Sequence, residues 1–280
     1  MVRIILVAAA ALFVAACSRG TKTEDRSQLA PAAQSKSSRD AIGRIYHYVR
    51  SNIDGTERED VYVFRRKRDT LEVYKARQKC ANAALVTAKL DMDAGYAPEI
   101  TGGRLLPGGK HEDFAFLTFD PKTKELSVRV ELPDQDPLVR SVTVEKTPFH
   151  VYDFDFASLT VMTPHLGDPT AEYSFGLAMV IPDPAREDFL LYLGEAVMTY
   201  RGEETHGDRP AFRYAVGGPA FGSFGGTLWL DAEEGHILDV ETGIPNHLEY
   251  HDFKLKLAGI DDGGVVAWTK LLTAHFEGCE

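Results

Sequence analysis

The chain has 280 residues, of which 44% are hydrophobic and 26% are charged, and its formal net charge is -11 at pH 7. This composition is typical of a globular protein with a sizeable core. The acidic balance argues against a nucleic-acid partner and against electrostatic attachment to an anionic membrane surface, because both select basic proteins.

The N-terminal segment predicts export from the cytoplasm. Arg3 is followed by an uninterrupted apolar run from Ile4 to Ala16. This run is shorter than the roughly 20 residues of a membrane span and has the length of the apolar part of a secretory signal. Its end, Val14-Ala15-Ala16-Cys17, resembles the lipobox of bacterial lipoproteins, whose cysteine is acylated and becomes the first residue of the mature protein.

The lipoprotein resemblance implies three segments. Residues 1–16 form the signal peptide, residues 17–38 carry the acylated Cys17 and a flexible polar tether, and residues 39–280 form the folded β domain. Acyl chains on Cys17 then provide the membrane attachment, and Ser18 after the cysteine implies the outer membrane, facing the periplasm. The alternative is an ordinary signal peptide that is cleaved elsewhere.

Two further cysteines, Cys80 and Cys279, remain in the chain. In an exported protein they predict a disulfide bond that holds the C-terminus. The alternative is a pair of reduced core thiols. Neither cysteine belongs to a C-x-x-C pair, so a redox or zinc role is not expected.

From residue 44 onwards, short alternating segments rich in aromatic and β-branched residues predict β-strands. Because the connections between them are short, neighbouring strands should pair antiparallel in a large meander sheet. Composition also allows a helix at 81–92, where a strand is favoured, and a short helix or covering loop at 149–172. The predicted strands are 45–49, 61–64, 71–74, 84–90, 99–105, 114–119, 126–131, 140–145, 175–181, 189–203, 211–216, 225–231, 236–242, 247–257 and 265–276.

Residues 189–257 resemble periplasmic outer-membrane lipoprotein-sorting proteins and related lipid carriers. The resemblance lies in Leu193-Gly194-Glu195, in Tyr200-Arg201-Gly202-Glu203-Glu204, and in Gly226-Thr227-Leu228-Trp229-Leu230-Asp231. It implies a strongly curved antiparallel sheet or unclosed barrel whose concave side holds acyl chains. It assigns no ligand residue, and the predicted anchor at Cys17 departs from the soluble carriers of that family.

Three polar residues suggest a metal site. His247, Glu249 and His251 alternate in the predicted strand 247–257, which places them on one face. Imidazole and carboxylate groups suit zinc or manganese. The alternative is a solvated polar face, and no cofactor is expected.

Two other features suggest chemistry or binding. Asp153 and Asp155 form a carboxylate pair for acid-base chemistry or simply mark a turn. The glycine-rich run 217–226 carries Phe221 and Phe224, which could form a mobile lip over a hydrophobic ligand; an ordinary loop is the alternative.

These observations lead to three functional hypotheses. The first is a lipid-anchored, non-enzymatic envelope lipoprotein that binds an acyl chain or another hydrophobic ligand on a curved sheet. The second is a structural or assembly module that contacts another envelope protein. The third is a metal-dependent hydrolase.

Overall fold

The structure is a computed structural model that describes residues 39–181, 183 and 186–279. The predicted signal peptide, Cys17 and the tether lie outside the described residues. The mainly β fold predicted from the sequence is confirmed: the described chain forms one unclosed, curved sheet of fifteen strands with two short α-helices.

Most strands follow one another through hairpins or short connections, whereas residues 152–172 separate β9 from β10. In chain order they are β1 (Ile45–Ser51), β2 (Glu59–Lys67), β3 (Thr70–Ala76), β4 (Ala83–Asp91), β5 (Tyr96–Leu106), β6 (Lys110–Asp120), β7 (Glu125–Val130), β8 (Leu138–Thr143), β9 (Phe149–Val151), β10 (Tyr173–Val180), β11 (Leu190–His206), β12 (Arg209–Gly217), β13 (Gly226–Asp231), β14 (Ile237–Thr242) and β15 (Phe253–Asp261).

Sheet order follows chain order except at one junction. The order is β8-β7-β6-β5-β4-β3-β2-β1-β15-β14-β13-β12-β11-β10-β9, so the first and last strands are neighbours in the middle of the sheet. All pairs are antiparallel except β9 with β10, which is parallel. The two edge strands, β8 and β9, are joined by residues 144–148 alone.

The N-terminal strands have an apolar core on each face. In β1, Tyr46 and Tyr48 belong to the main core, whereas Ile45 belongs to a smaller cluster on the opposite face. Because successive strand side chains point to opposite faces, strands buried on both sides carry apolar residues at consecutive positions. Val63 and Phe64 of β2 divide in the same way.

The concave face is filled by residues 152–165, which we call the plug. It contains a 3-10 turn (Tyr152–Phe154), helix α1 (Ala157–Met162) and a second 3-10 turn (Thr163–His165). Every residue of α1 is buried. The plug contacts strands of both halves of the sheet, as shown by the hydrogen bonds of Tyr152 and Asp155, so the sheet curves around it. The helix-or-loop prediction for 149–172 is thereby confirmed from residue 152 onwards, whereas residues 149–151 form strand β9.

The convex face of the N-terminal strands is covered by helix α2 (Gly264–Ala274). The sequence predicts a strand at 265–276, and that prediction is wrong. The β-branched pair at Val265 and Val266 suggests a strand, yet the two buried residues, Trp268 and Leu272, are four positions apart, which is the spacing of one helix face.

A second correction concerns the predicted strand 247–257. Only its later part is a strand, because β15 begins at Phe253 and residues 243–252 form a loop. Pro245 lacks the N–H that a strand pairing needs, and the Tyr250 N–H donates to the His247 carbonyl in a local turn.

The predicted disulfide is present. Cys80, in the turn before β4, bonds to Cys279 beyond α2, with the two Cα atoms 5.6 Å apart. The bond therefore holds the C-terminal segment against the N-terminal strands. Across the described residues, none of the helices has the length and apolar character needed to cross a membrane.

Candidate functional site

A buried cluster of charges joins the plug to the sheet. Asp155 of the plug is fully buried; its carboxylate accepts hydrogen bonds from Arg50 Nη1 at 3.0 Å and from Asn246 Nδ2 at 2.7 Å. Lys75 Nζ lies 2.5 Å from Asp155 Oδ2. Arg50 also pairs with Glu59, so two cations and two anions balance within the cluster.

Sequence reasoning missed Arg50 and Lys75, although a signal was present. Arg50 stands two positions after Tyr48, and Lys75 stands two positions after Val73, so each cation shares a strand face with buried core residues. A cation in phase with a buried apolar face needs a buried counter-ion, because an unpaired buried charge is very costly. Asp155, between two aromatic residues of the plug, is that counter-ion.

The electrostatics of the cluster favour the ionised form of Asp155. Burial by itself raises the pKa of Asp155, but the neighbouring Arg50 and Lys75 outweigh burial and hold that pKa well below its usual range. Burial lowers the pKa of Lys75, although Asp155 opposes this. The pairing therefore keeps charged groups in the core that would otherwise be neutral or solvated.

The plug backbone is strained where it meets the cluster. Asp155 has φ 51° and Phe156 has φ 53°, both in the left-handed region that side chains with a Cβ avoid. Two consecutive residues in this region cost roughly 1–2 kcal/mol each. The ion pairs of Asp155 and the burial of Phe156 against Phe253 offset this cost.

An apolar cavity of about 110 Å³ lies between the plug and strands β4 to β7. Two polar residues, Lys75 and Asp153, line it as well. Asp153 Oδ1 accepts a hydrogen bond from the Val180 N–H at 2.8 Å, and burial raises the pKa of Asp153 to about 6. The apolar lining is Val86, Ile100, Gly102, Ala115, Leu117, Val128, Val151, Phe154 and Val180.

The cavity is small compared with known ligand sites. Pockets for drug-sized ligands occupy about 300–1,000 Å³, and an apolar cavity of about 150 Å³ accommodates benzene. The rest of the concave face is occupied by plug side chains such as Tyr152, Phe156 and Leu159, all buried. In this conformation the site therefore has room for only a few carbon atoms of a ligand.

The two predicted lip residues differ in their surroundings. Phe221 is fully buried and its ring lies 6.0 Å from that of Tyr152 in the plug. Phe224 is 61% exposed. Of the two, only Phe224 is available to a molecule arriving from solvent.

The three residues predicted as metal ligands do not come together in the structure. His247 is near the buried cluster, where burial lowers its pKa to about 3. Glu249 pairs with Arg77 at 2.9 Å on the surface, and His251 is largely exposed beside Asp252. Across residues 39–181, 183 and 186–279, no group of three or more His, Cys, Asp or Glu residues is arranged to hold a metal ion.

The predicted carboxylate pair is divided between two environments. Asp155 is committed to Arg50, Lys75 and Asn246, whereas Asp153 lines the cavity. Their pKa values shift in opposite directions, and the two groups therefore have different roles in the plug.

A second, open groove of about 550 Å³ is lined by residues of β4, β5 and β6 and by residues 131–133. Phe114, which is 38% exposed, lines it together with Arg104, Glu112, Asp113 and Leu132. Four of its eleven lining residues are charged, and Arg104 is already paired with Glu112. This groove suits a protein surface better than a buried lipid.

No family model and no curated protein matches this chain. The proposed function is therefore based on the site alone.

Proposed function

We propose that the protein is a lipid-anchored envelope lipoprotein that binds a small hydrophobic ligand between its plug and the concave face of its sheet. The observation that carries the proposal is the apolar cavity beside Asp153. Val86, Ala115 and Val180 in its wall are only half-buried, so the cavity reaches towards the surface. A ligand entering it would gain about 0.8 kcal/mol for each buried methylene group.

The plug sets the length of the ligand. With the plug in place, the cavity holds a short chain or the first part of a longer one. A full acyl chain requires the plug to move outwards, which separates Asp155 from Arg50 and Lys75 and relieves the left-handed backbone at Asp155 and Phe156. Binding of long chains is therefore coupled to the buried cluster.

Ligand binding is tested by native purification followed by lipid extraction and mass spectrometry. Ala115→Leu places an isobutyl group in the cavity and should reduce the recovered ligand at least tenfold. Ala258→Leu, at an exposed position of β15, is the matched control and should leave recovery unchanged. Equal recovery from both variants, or no ligand from the unmodified protein, would contradict the proposal.

The anchor is tested separately. Cys17→Ser should move the protein from the membrane fraction to the soluble periplasmic fraction, because it removes the acylated side chain. The net charge of -11 offers no electrostatic substitute for the acyl chains. Unchanged membrane retention of the variant would show that the lipobox interpretation is wrong.

The second candidate function is an assembly module that contacts another envelope protein, and the groove around Phe114 favours it. A photo-crosslinking residue at position 114 should then capture one specific protein in cells. The same residue at position 266, on the exposed side of α2, is the control. Capture of the same proteins from both positions would count against a specific partner.

A further inference from the structure

The polar end of the cavity has unused hydrogen-bonding capacity. Lys75 Nζ contacts Asp155 Oδ2 at 2.5 Å and the Asp153 carbonyl oxygen at 2.6 Å, whereas the Asp153 carboxylate receives the Val180 N–H at 2.8 Å. A carboxylate can accept about four hydrogen bonds, so acceptor sites remain on Asp153. The Lys75 ammonium uses one of its three donors on the Asp153 carbonyl oxygen and is also ion-paired with Asp155.

The charges around Asp153 come from β1, β2, β3 and the plug. Arg50 of β1 and Lys75 of β3 are balanced by Asp155 and Glu59, as described above. His247, in the loop before β15, is neutral because burial lowers its pKa to about 3, and β10 contributes the uncharged Val180 N–H. Ionised Asp153 therefore adds one negative charge that the cluster does not balance.

We propose that the cavity selects a hydrophobic ligand whose polar head is a hydrogen-bond donor, preferably a protonated amine, and rejects carboxylates. The inference rests on the proposed function, because it concerns the ligand of the same cavity. A cationic head completes the charge balance at Asp153 and donates to its free acceptor sites. A carboxylate would place a second unbalanced anion beside Asp153 with nothing but the remaining Lys75 donor to receive it.

Three short probes of the same chain length separate head-group chemistry from cavity binding. We would add n-butylamine, n-butanol and butyrate at pH 7.5 and follow the methyl NMR signals of Val86, Leu117 and Val128, which line the cavity. The expected order of affinity is n-butylamine, then n-butanol, then butyrate, with at least a tenfold difference between the first and the last.

Asp153→Asn keeps an oxygen for the Val180 N–H but removes the charge. It should lower n-butylamine affinity about tenfold and leave n-butanol affinity nearly unchanged. Asp168→Asn, at an exposed turn where the carboxylate receives the Thr170 N–H, is the control and should change neither. Lowering the pH to 5 protonates Asp153 and should lower the affinity for n-butylamine in the same way.

The outcomes distinguish the two proposals. If butyrate binds as tightly as n-butylamine and Ala115→Leu abolishes the binding of both, the head-group preference is wrong. Ligand binding in the cavity is then still supported. An n-butylamine affinity that Asp153→Asn leaves unchanged would likewise overturn the head-group preference. Methyl signals that respond to none of the three probes would overturn both proposals.

Discussion

The two short helical segments cover opposite faces of the same strands and are held there by different means. Both α1, with six residues, and α2, with eleven, are too short to be stable alone. The plug around α1 depends on buried ion pairs and a strained backbone, whereas α2 depends on apolar and aromatic packing and on a covalent bond. The concave side is therefore held mainly by charge pairing, and the convex side by packing and a covalent cross-link.

The contacts of α2 illustrate the difference. Trp268 is fully buried, its ring stacks on Phe64 with centroids 5.0 Å apart, and its Nε1 donates to Glu72 at 2.6 Å. Tyr74 shares a hydrogen bond of 2.7 Å with His275 just beyond the helix. None of these contacts requires a buried ion pair of the kind that holds Asp155.

The largest expected effect is that of Asp155→Ala. This change leaves Arg50 and Lys75 buried without their central counter-ion, which should lower the free energy of unfolding by about 3–5 kcal/mol. Urea unfolding measures the loss, and limited proteolysis should show faster cleavage within residues 152–165. Asp168→Ala, in an exposed turn, is the control. Unchanged resistance of the plug to proteolysis in the Asp155 variant would show that the ion pairs of Asp155 do not hold it in place.

Removing the disulfide should have the next largest effect. The double variant Cys80→Ala, Cys279→Ala should lose about 2–4 kcal/mol of stability, because the cross-link no longer restricts the unfolded chain. Its proteolysis should increase beyond α2, while the methyl signals of the cavity stay unchanged. Shifts at Val86 or Val128 would mean that the two faces are coupled.

Acidification should lower the stability by an intermediate amount through His236. This residue is fully buried, and its ring nitrogens make no hydrogen bond with any described residue. Burial lowers its pKa to about 4. Between pH 6.5 and 4 the unfolded chain takes up a proton that the folded protein does not, so stability falls as the pH falls. His236→Phe should remove this loss, about 2 kcal/mol at pH 5.

The matched control for that measurement is His251→Phe, at a largely exposed site. Both variants are compared with the unmodified protein by urea unfolding at pH 7.5 and pH 5. The stability difference between the two pH values should shrink in the His236 variant alone. Equal shrinkage in both variants would contradict a role for burial of His236.

The smallest expected effect concerns the surface. Glu249→Gln breaks an exposed ion pair with Arg77, and such pairs contribute about 0.2–1 kcal/mol. The change should therefore shift the urea midpoint only slightly, and added zinc should not alter the result. A zinc-dependent stabilisation that disappears in this variant would revive the metal hypothesis.

Most strands were predictable because alternation in a sheet is a local property. Residues 61–64 carry aromatic and β-branched side chains at four consecutive positions, and Val73 and Tyr74 do so at two, which two-sided burial requires. The region of α2 was not predicted as a helix because Val265 and Val266 precede the helical spacing of Trp268 and Leu272. Local preference and helical periodicity disagree there, and packing against Phe64 favours the helix.

The candidate site was only partly predictable. The sequence identifies Asp153, Asp155 and His247 as candidate site residues. No local pattern predicts that Arg50 and Lys75 lie beside them. Those partners come from strands about 80 to 100 residues earlier in the chain. A charged residue in phase with an apolar face indicates that a counter-ion exists; only the folded sheet shows which one.

The junction of β1 with β15 has a consequence for folding kinetics. Within residues 45–143 and within residues 149–261, each strand pairs with its neighbour in the chain, whereas β1 and β15 meet only after nearly the whole chain is made. Contacts of such high sequence separation slow folding. Until Phe253–Asp261 has formed, β1 presents an unpaired edge on which other strands can add. A newly synthesised chain therefore has its greatest risk of aggregation at this central junction, far from the open edges of the finished sheet.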